Sequence, residues 1–125
     1  NHKSKITIMA ISAARLNALE AIDELIKEGI DCDIFHIVNL KPFKIPDQLI
    51  SSLSSTKLGI VIDTDFETCG ASQSIAYELM LKTGAKIHGY GLADKVSGVS
   101  KDTENLTPSK SKIVKKIKSI LSQIN

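Results

Sequence analysis

Three carboxylate residues stand at alternate positions after an apolar run in the middle of the chain: Asp63, Asp65 and Glu67. A hard cation requires several oxygen ligands, so these side chains could begin a metal site. The segment lacks the further ligands and the bidentate glutamate of a calcium loop. Negative charge is also favourable just before a helix N-terminus without any metal. We therefore predict that these three residues do not bind a metal ion.

The two cysteines, Cys32 and Cys69, lie far apart in the sequence. Cys69 precedes Gly70 at the predicted start of a helix, where a thiol pKa is often lowered. No histidine is adjacent and the nearby acids oppose ionisation, so an enzyme that uses Cys69 as its nucleophile is the weaker interpretation. We predict two free thiols in a reducing compartment, with the cytoplasm as the location, over a disulfide.

Polar residues follow two of the predicted strands, where ligands bind in open α/β sheets. Ser12 and Arg15 follow the first strand, and Gly70 and Ser72 follow the third. Arg15 could pair with an anion at a helix N-terminus, but a solvated or interface arginine is the favoured interpretation. These four residues are the candidate anion site.

The chain contains no dinucleotide glycine fingerprint, P-loop, CxxC or HExxH pattern and no Ser-His-Asp order. Its histidines, His2, His36 and His88, do not cluster in the sequence, and His36 is predicted to be a packed strand residue. From the residues alone we assign no catalytic, cofactor-binding or metal-binding residue.

Short β-branched apolar runs predict buried strands over residues 5–11, 33–38, 58–63 and 86–91. Apolar stripes at spacings of three and four predict four helices. The first runs from Ser12 to Gly29, the second begins at Pro46, the third runs from Ser72 to Gly84, and the fourth begins with Thr107 as N-cap and Pro108. Residues 51–57, 63–71 and 92–107 are predicted connections.

In each helix, the apolar residues at helical spacing are predicted to face the core. From the first helix to the fourth they are Leu16, Leu19, Ile22, Leu25 and Ile26; Leu49, Ile50 and Leu53; Ile75, Ala76, Leu79 and Met80; and Ile113, Val114, Ile117, Ile120, Leu121 and Ile124. Strands that alternate with helices predict an α/β fold, a three-layer α/β/α sandwich around a mostly parallel sheet.

The 125 residues, 42% apolar and 24% charged, fit a single globular domain over residues 1–125. An aromatic content of 4% disfavours a nucleic-acid binder that stacks bases, and no apolar run is long enough to span a membrane. The chain opens on Asn1 without an initiator Met, so we expect a fragment of a larger chain.

The net charge of +2 is unevenly distributed. Residues 109–125 carry five lysines and no acid, whereas residues 1–108 carry eleven basic and fourteen acidic side chains. The last helix is thus either a solvated basic face or a docking surface for an acidic partner domain.

Two short segments stand out in an ordered set along the chain: Lys41-Pro42-Phe43 after the second strand and Thr68-Cys69-Gly70 before a helix. The set also includes Ile60-Val61-Ile62-Asp63, Gly91, Asp94 and the final helix. Over about residues 5–122 it resembles the C-terminal domain of the transketolase superfamily. The nearest forms are the beta subunit of 2-oxo-acid dehydrogenases and 1-deoxyxylulose-5-phosphate synthase.

The resemblance implies a mostly parallel sheet with one antiparallel strand, which we assign to Lys86–Gly91. It implies a parent enzyme that uses thiamine diphosphate and Mg²⁺, held by two preceding domains through a Gly-Asp-Gly…Asn motif that this chain lacks. No cofactor is therefore expected in this domain. The implied partners are an upstream pyrimidine-binding domain or partner subunit and a second copy in a homodimer.

The chain departs from the family pattern in ways that weaken an inherited anion site. Ile11-Ser12-Ala13-Ala14 lacks the glycine that often follows the first strand, and Gly70-Ala71-Ser72 stands where members have Gly-x-Gly. Two functions remain open. One is a non-catalytic assembly and dimerisation domain of a thiamine-diphosphate-dependent enzyme, inactive alone. The alternative is a stand-alone module that binds an anion or another small ligand.

Overall fold

Strands and helices alternate along the whole chain in a computed structural model that describes residues 3–96, 98, 100 and 104–124. The elements are β1 (Ile6–Ile11), α1 (Ala14–Lys27), β2 (Cys32–Ile37), α2 (Asp47–Thr56), β3 (Leu58–Phe66), α3 (Ala71–Thr83), β4 (Lys86–Leu92) and α4 (Lys110–Ser122). The predicted order of four strands and four helices is confirmed.

The four strands form one sheet in the order β2-β1-β3-β4, and every pairing between them is parallel. Ile8 of β1 lies opposite Ile34 of β2 on one side and Ile60 of β3 on the other. The prediction that Lys86–Gly91 is antiparallel is wrong. The α3 crossover returns the chain to the edge where β3 began, so β4 runs in the same direction as β3.

The helices cover both faces of the sheet. The first core cluster joins α1 and α4 to one set of strand residues, which includes Ile8 and Ile60. The second joins α2 and α3 to the alternate set, which includes Met9 and Val61. Because successive strand side chains point to opposite faces, this division confirms the three-layer α/β/α sandwich.

Helix α1 buries Ile22 and Leu25 as predicted, but alanines replace the other predicted core residues. Its buried residues are Ala14, Ala18, Ala21, Ile22 and Leu25. Leu16, Leu19 and Ile26 are 60%, 42% and 49% exposed, so their predicted burial is wrong. Alanines therefore supply most of the buried face of α1, and Leu16 and Leu19 lie outside it.

Two other predicted core residues are exposed. Met80 on α3 is 41% exposed, and Ile124 beyond the end of α4 is 57% exposed. The buried positions of α3 instead include Ser72, Ile75 and Leu79. The predicted burial of Met80 and Ile124 is therefore wrong.

Residues 51–56, predicted as a polar connection, belong to helix α2. Ser52 lies 5% exposed, and its hydroxyl donates to Asp33 Oδ2 of β2 at 2.6 Å. The Thr7 hydroxyl on β1, fully buried, lies 2.7 Å from Ser52 Oγ and 2.8 Å from Thr56 Oγ1. Polar residues of α2 thus contribute to its contact with the sheet beside Leu49 and Leu53, which hydropathy alone does not indicate.

The ends of three elements differ from the prediction. β3 extends to Phe66, with a register shift between Ile62 and Phe66, so Asp63 and Asp65 lie in a strand rather than a loop. α4 begins at Lys110 with Ser109 as its N-cap, not Thr107. Gly29 and Gly84 follow α1 and α3 with positive φ, as predicted.

The predicted connection over residues 92–107 lies partly outside the described residues, which exclude 97, 99 and 101–103; Leu92 itself belongs to β4. Both cysteines are free, as predicted. Among the described residues, no helix is long and apolar enough to cross a membrane.

Candidate functional site

Because all four strands are parallel, their carboxyl ends lie at one edge of the sheet. β1 and β3 are neighbours there, and the chain leaves them in opposite directions, to β2 and to β4. A ligand site in such a sheet forms at this reversal of strand order. The predicted anion-site residues follow these two strands.

Ser12 and Arg15 form one turn at the start of α1. Ser12 has a φ of 50°, and its carbonyl oxygen accepts a hydrogen bond from Arg15 N at 3.3 Å. His36 Nε2 lies 3.3 Å from the same oxygen, in position to donate a second hydrogen bond. Both side chains of the turn are exposed, so Arg15 is accessible to a soluble anion.

Gly70 and Ser72 form the start of α3. Gly70 is the N-cap, and a Cβ there would overlap the Phe66 carbonyl oxygen, so the turn requires glycine. Ser72 is fully buried, and its hydroxyl has no hydrogen-bond partner among the described residues. It lies beneath the helix, 3.3 Å from the position that a Cβ on Gly89 of β4 would occupy.

The structure therefore places the four predicted anion-site residues in two turns. α1 belongs to the first core cluster and α3 to the second, so the two helix N-termini lie on opposite faces of the sheet. Arg15 reaches solvent beside α1, whereas Ser72 faces the interior beside β4.

Two of the three carboxylates after the third apolar run, Asp63 and Asp65, accept hydrogen bonds from the backbone N–H groups of neighbouring residues. Asp63 is buried, and its Oδ1 accepts from Thr64 N at 2.7 Å and from Asp65 N at 3.3 Å. Asp65 Oδ1 accepts from Phe66 N at 2.7 Å. No group of three or more metal-ligating side chains occurs among the described residues.

Cys69 lies in the turn between β3 and α3 with a φ of 60° and is exposed. Its backbone N–H donates to Gln73 Oε1 at 3.3 Å. This bond closes the turn across the start of α3, and it uses the amide of Cys69 rather than its thiol.

Sequence reasoning missed a cavity of about 360 Å³ beyond the ends of β3 and β4. Its polar lining comes from Glu67, Tyr90, Lys95, Glu104, Asn105 and Lys112. Asn105 Nδ2 donates to the carbonyl oxygens of Ala93 and Lys95, at 2.8 and 3.1 Å, and so links two parts of the connection between β4 and α4. Burial, and then Glu67, raise the pKa of Tyr90, so this hydroxyl stays protonated and can donate. The lining residues come from separate segments, so no spacing in the sequence indicates this cavity.

Known proteins are similar to this chain in sequence and in fold. The family described as transketolase, C-terminal domain, matches residues 1–113. The chain is 31% identical over 67 residues to the pyruvate dehydrogenase E1 component subunit beta of Mesostigma viride, which is 54% of this chain and 20% of that one. It is 29% identical over 69 residues to the same subunit of Chlorokybus atmophyticus, which is 55% of this chain and 20% of that one.

A solved structure titled split gene transketolase, inactive beta4 tetramer, shares the fold with a TM-score of 0.76 at 22% identity. The match covers 98% of this chain and 39% of that one. The matched segment is thus about a fifth of the length of the curated relatives. Since the family match spans most of the 125 residues, this chain belongs to the transketolase C-terminal domain family.

Proposed function

We propose that this chain is a non-catalytic assembly and dimerisation domain of a thiamine-diphosphate-dependent enzyme of the transketolase or 2-oxo-acid dehydrogenase type. Its partner is an upstream pyrimidine-binding domain or a separate subunit that carries one. Family membership, together with a match to only a fifth of the length of the relatives, supports this assignment. The two free thiols support a reducing compartment, for which we propose the cytoplasm.

The observation that carries the proposal is an apolar face on the outside of α3. Tyr77, Met80 and Leu81 are 63%, 41% and 70% exposed. Their spacings of three and four place them together on one side of the helix. Large apolar side chains grouped on a surface mark a protein contact site. We assign this face to the partner subunit of the same enzyme.

The residues of this chain do not fit thiamine diphosphate and Mg²⁺. The Gly-Asp-Gly motif is absent from the sequence. Asp63 and Asp65 direct carboxylate oxygens to backbone amides, and the described residues hold no three-ligand group. We therefore assign the cofactor to the partner domains.

Native mass spectrometry of the protein purified from its own cells tests the assignment. We expect either a longer chain or a complex whose partner carries the Gly-Asp-Gly…Asn motif. Tyr77→Gln with Leu81→Gln should weaken that assembly at least tenfold, while Lys82→Gln on the same helix should leave it unchanged. A monomer of 13.5 kDa without such a partner would contradict the proposal.

Calorimetric titration with thiamine diphosphate and MgCl₂ tests whether the cofactor binds to this domain or to its partners. The 125-residue chain should show no binding, and the complete assembly should bind. Micromolar binding by the chain alone would place the cofactor in this domain and refute a purely structural role.

A second candidate, a module that binds an anion, is favoured by one observation. The Ser72 hydroxyl, within the first turn of α3, is buried and has no hydrogen-bond partner in the part of the chain that the structure describes, and a buried hydroxyl normally has one. Titration with inorganic phosphate, followed by amide shifts at residues 12–15 and 70–72, tests it. Binding that Arg15→Ala or Ser72→Ala weakens would support it, and no binding at millimolar phosphate would exclude it.

A further inference from the structure

The five lysines of α4 fall into two groups according to what lies beside them. Lys110 Nζ pairs with Glu24 of α1 at 3.0 Å, and Lys118 pairs with Glu28. Lys112, Lys115 and Lys116 have no ion-pair partner among the residues that the structure describes. The excess charge of the C-terminal segment is therefore concentrated on the side of α4 that faces away from α1.

That side forms one wall of a groove between α4 and β4. The groove has a volume of about 330 Å³ and is lined by Tyr90, Lys112, Lys115, Lys116 and Ser119, a set without an acidic residue. We call it the β4–α4 groove. Lys116 Nζ lies 5.5 Å from the centre of the Tyr90 ring, a cation–π contact that holds the ammonium group over the strand.

Lys86 adds positive charge to this side of β4, since Lys86, His88 and Tyr90 stand at alternate positions of the strand. His88 and Tyr90 are two residues apart, so their side chains share the face that α4 covers. Burial lowers the pKa of His88, and the charges of Lys86 and Lys116 lower it further. His88 is thus mainly neutral at pH 7, chiefly because it is partly buried, and the nearby lysines add to this effect.

β4 is also an edge strand. It pairs with β3 on one side, and no described strand pairs with its other side. An edge strand presents unpaired N–H and C=O groups that a further strand can bind. Addition of an extended peptide to such an edge is a common mode of protein recognition, in which backbone hydrogen bonds give affinity and alternate side chains give specificity.

We propose that the β4–α4 groove binds an acidic, extended segment of a partner protein, which adds a strand to the outer edge of β4. Every second side chain of that strand faces α4, where carboxylates meet Lys112, Lys115 and Lys116. The expected ligand is therefore a peptide with acidic residues at alternate positions. This proposal goes beyond the assembly role and holds for the chain alone or within a larger enzyme.

A fluorescein-labelled eight-residue peptide of alternating glutamate and threonine is a suitable probe, titrated into the 125-residue chain and followed by anisotropy. We expect saturable binding that weakens at least fivefold between 50 and 300 mM NaCl, because salt screens exposed charges. Amide shifts should be confined to residues 86–92 and 110–119. Shifts elsewhere would overturn the proposed site.

Charge reversal at the groove tests the role of the lysines. Lys115→Glu with Lys116→Glu should weaken binding at least tenfold, and the neutral pair Lys115→Gln with Lys116→Gln should weaken it less. Lys44→Glu with Lys82→Glu changes the net charge equally at exposed sites outside the groove and should leave affinity within twofold. Equal loss in the reversal and control pairs would show nonspecific attraction and overturn the proposal.

A backbone-modified peptide tests strand addition itself. Two modified peptides are compared, one N-methylated at its threonines and the other at its glutamates. N-methylation removes backbone N–H donors and keeps every charge, and only one of the two sets of residues donates to β4. One of these two peptides should bind at least fivefold more weakly than the parent. If both bind as the parent does, or if an eight-residue oligouridine binds more tightly than the peptide, the proposed occupant is wrong.

Discussion

The two cysteines differ in their exposure to solvent. Cys32 is half-buried at the start of β2, and its thiol Sγ lies 3.6 Å from the Ile30 carbonyl oxygen. Burial, and then the charges of Asp31 and Asp33, raise the pKa of Cys32 to about 11. Cys69 is exposed in the turn before α3. The thiolate is the reactive form, so the two residues should differ in reactivity.

Iodoacetamide at pH 8 should therefore modify Cys69 at least tenfold faster than Cys32. At that pH about one thousandth of Cys32 is thiolate if its pKa is about 11. Peptide mass spectrometry of timed samples measures both rates, and samples unfolded in urea provide the control in which the rates converge. Comparable rates in the folded protein would contradict the raised pKa.

His88 makes stability depend on pH in a defined direction. Its folded-state pKa is lowered by burial and by Lys86 and Lys116, whereas an unfolded histidine titrates near about 6.5. As the pH falls through that value, the unfolded chain gains a proton that the folded chain binds less readily. The stability contributed by neutral His88 is therefore complete above pH 7 and is lost on acidification.

Urea unfolding at pH 7.5 and 5.5 measures this effect. The free energy of unfolding should fall between the two conditions, and His88→Gln should make the fall smaller. His36→Gln, at an exposed histidine of β2, serves as the comparison for the substitution itself. An unaltered pH dependence in His88→Gln would refute the role of His88.

At the scale of elements, α2 packs against the sheet through Leu49 and Leu53 and also forms hydrogen bonds to it through hydroxyl groups. The Ser52 hydroxyl donates its hydrogen bond to Asp33, so toward Thr7 it can act only as an acceptor. Thr56 Oγ1 lies within hydrogen-bond distance of Thr7 and of the Ser52 and Leu58 carbonyl oxygens. β1, β2 and α2 thus share one buried network, in which each hydroxyl depends on its neighbours.

Thr7→Val keeps the shape of the side chain and removes the hydroxyl. It should destabilise the protein by about 1–3 kcal/mol, because Ser52 loses its donor in a buried site. Ser55→Ala, at an exposed hydroxyl of the same helix, should cost less than about 0.5 kcal/mol. Urea denaturation measures both, and equal small losses would show that the network contributes little.

At the scale of the whole molecule, α4 closes one face of the sheet. Ile113 and Ile117 are fully buried in the cluster that also contains α1 and alternate residues of β1 and β3. Asn17 Nδ2 donates to the Pro108 carbonyl oxygen at 3.0 Å, which fixes the entry to α4 beside α1. Without α4, the apolar residues of this face would be exposed to water.

Ile117→Ala should therefore cost about 2–5 kcal/mol, and Ile117→Val about 0.5–1.5 kcal/mol. Lys118→Gln, which removes the exposed ion pair with Glu28, should change stability by less than about 1 kcal/mol. Chemical denaturation of the three variants measures the series. If Lys118→Gln were as costly as Ile117→Ala, ion pairs rather than apolar packing would hold α4 in place.

The sequence predicts those features that depend on neighbouring residues along the chain. The β-branched runs of β1 and β3 are buried on both faces, and Gly29 and Gly84 end their helices at positive φ, because these properties need only local sterics and hydropathy. The α/β class follows from the alternation of such elements. The turns that carry Ser12 and Gly70 at the carboxyl edge follow from the same order.

Only the tertiary structure decides what lies across from each residue. It turns the alanine face of α1 inward, places Ser52 of α2 against Thr7, and makes β4 parallel to β3. It also puts the N-termini of α1 and α3 on opposite faces, and brings Tyr90 beside Lys112, Lys115 and Lys116 of α4. These relations join residues distant in sequence, so packing and charge in three dimensions fix them, and no local pattern records them.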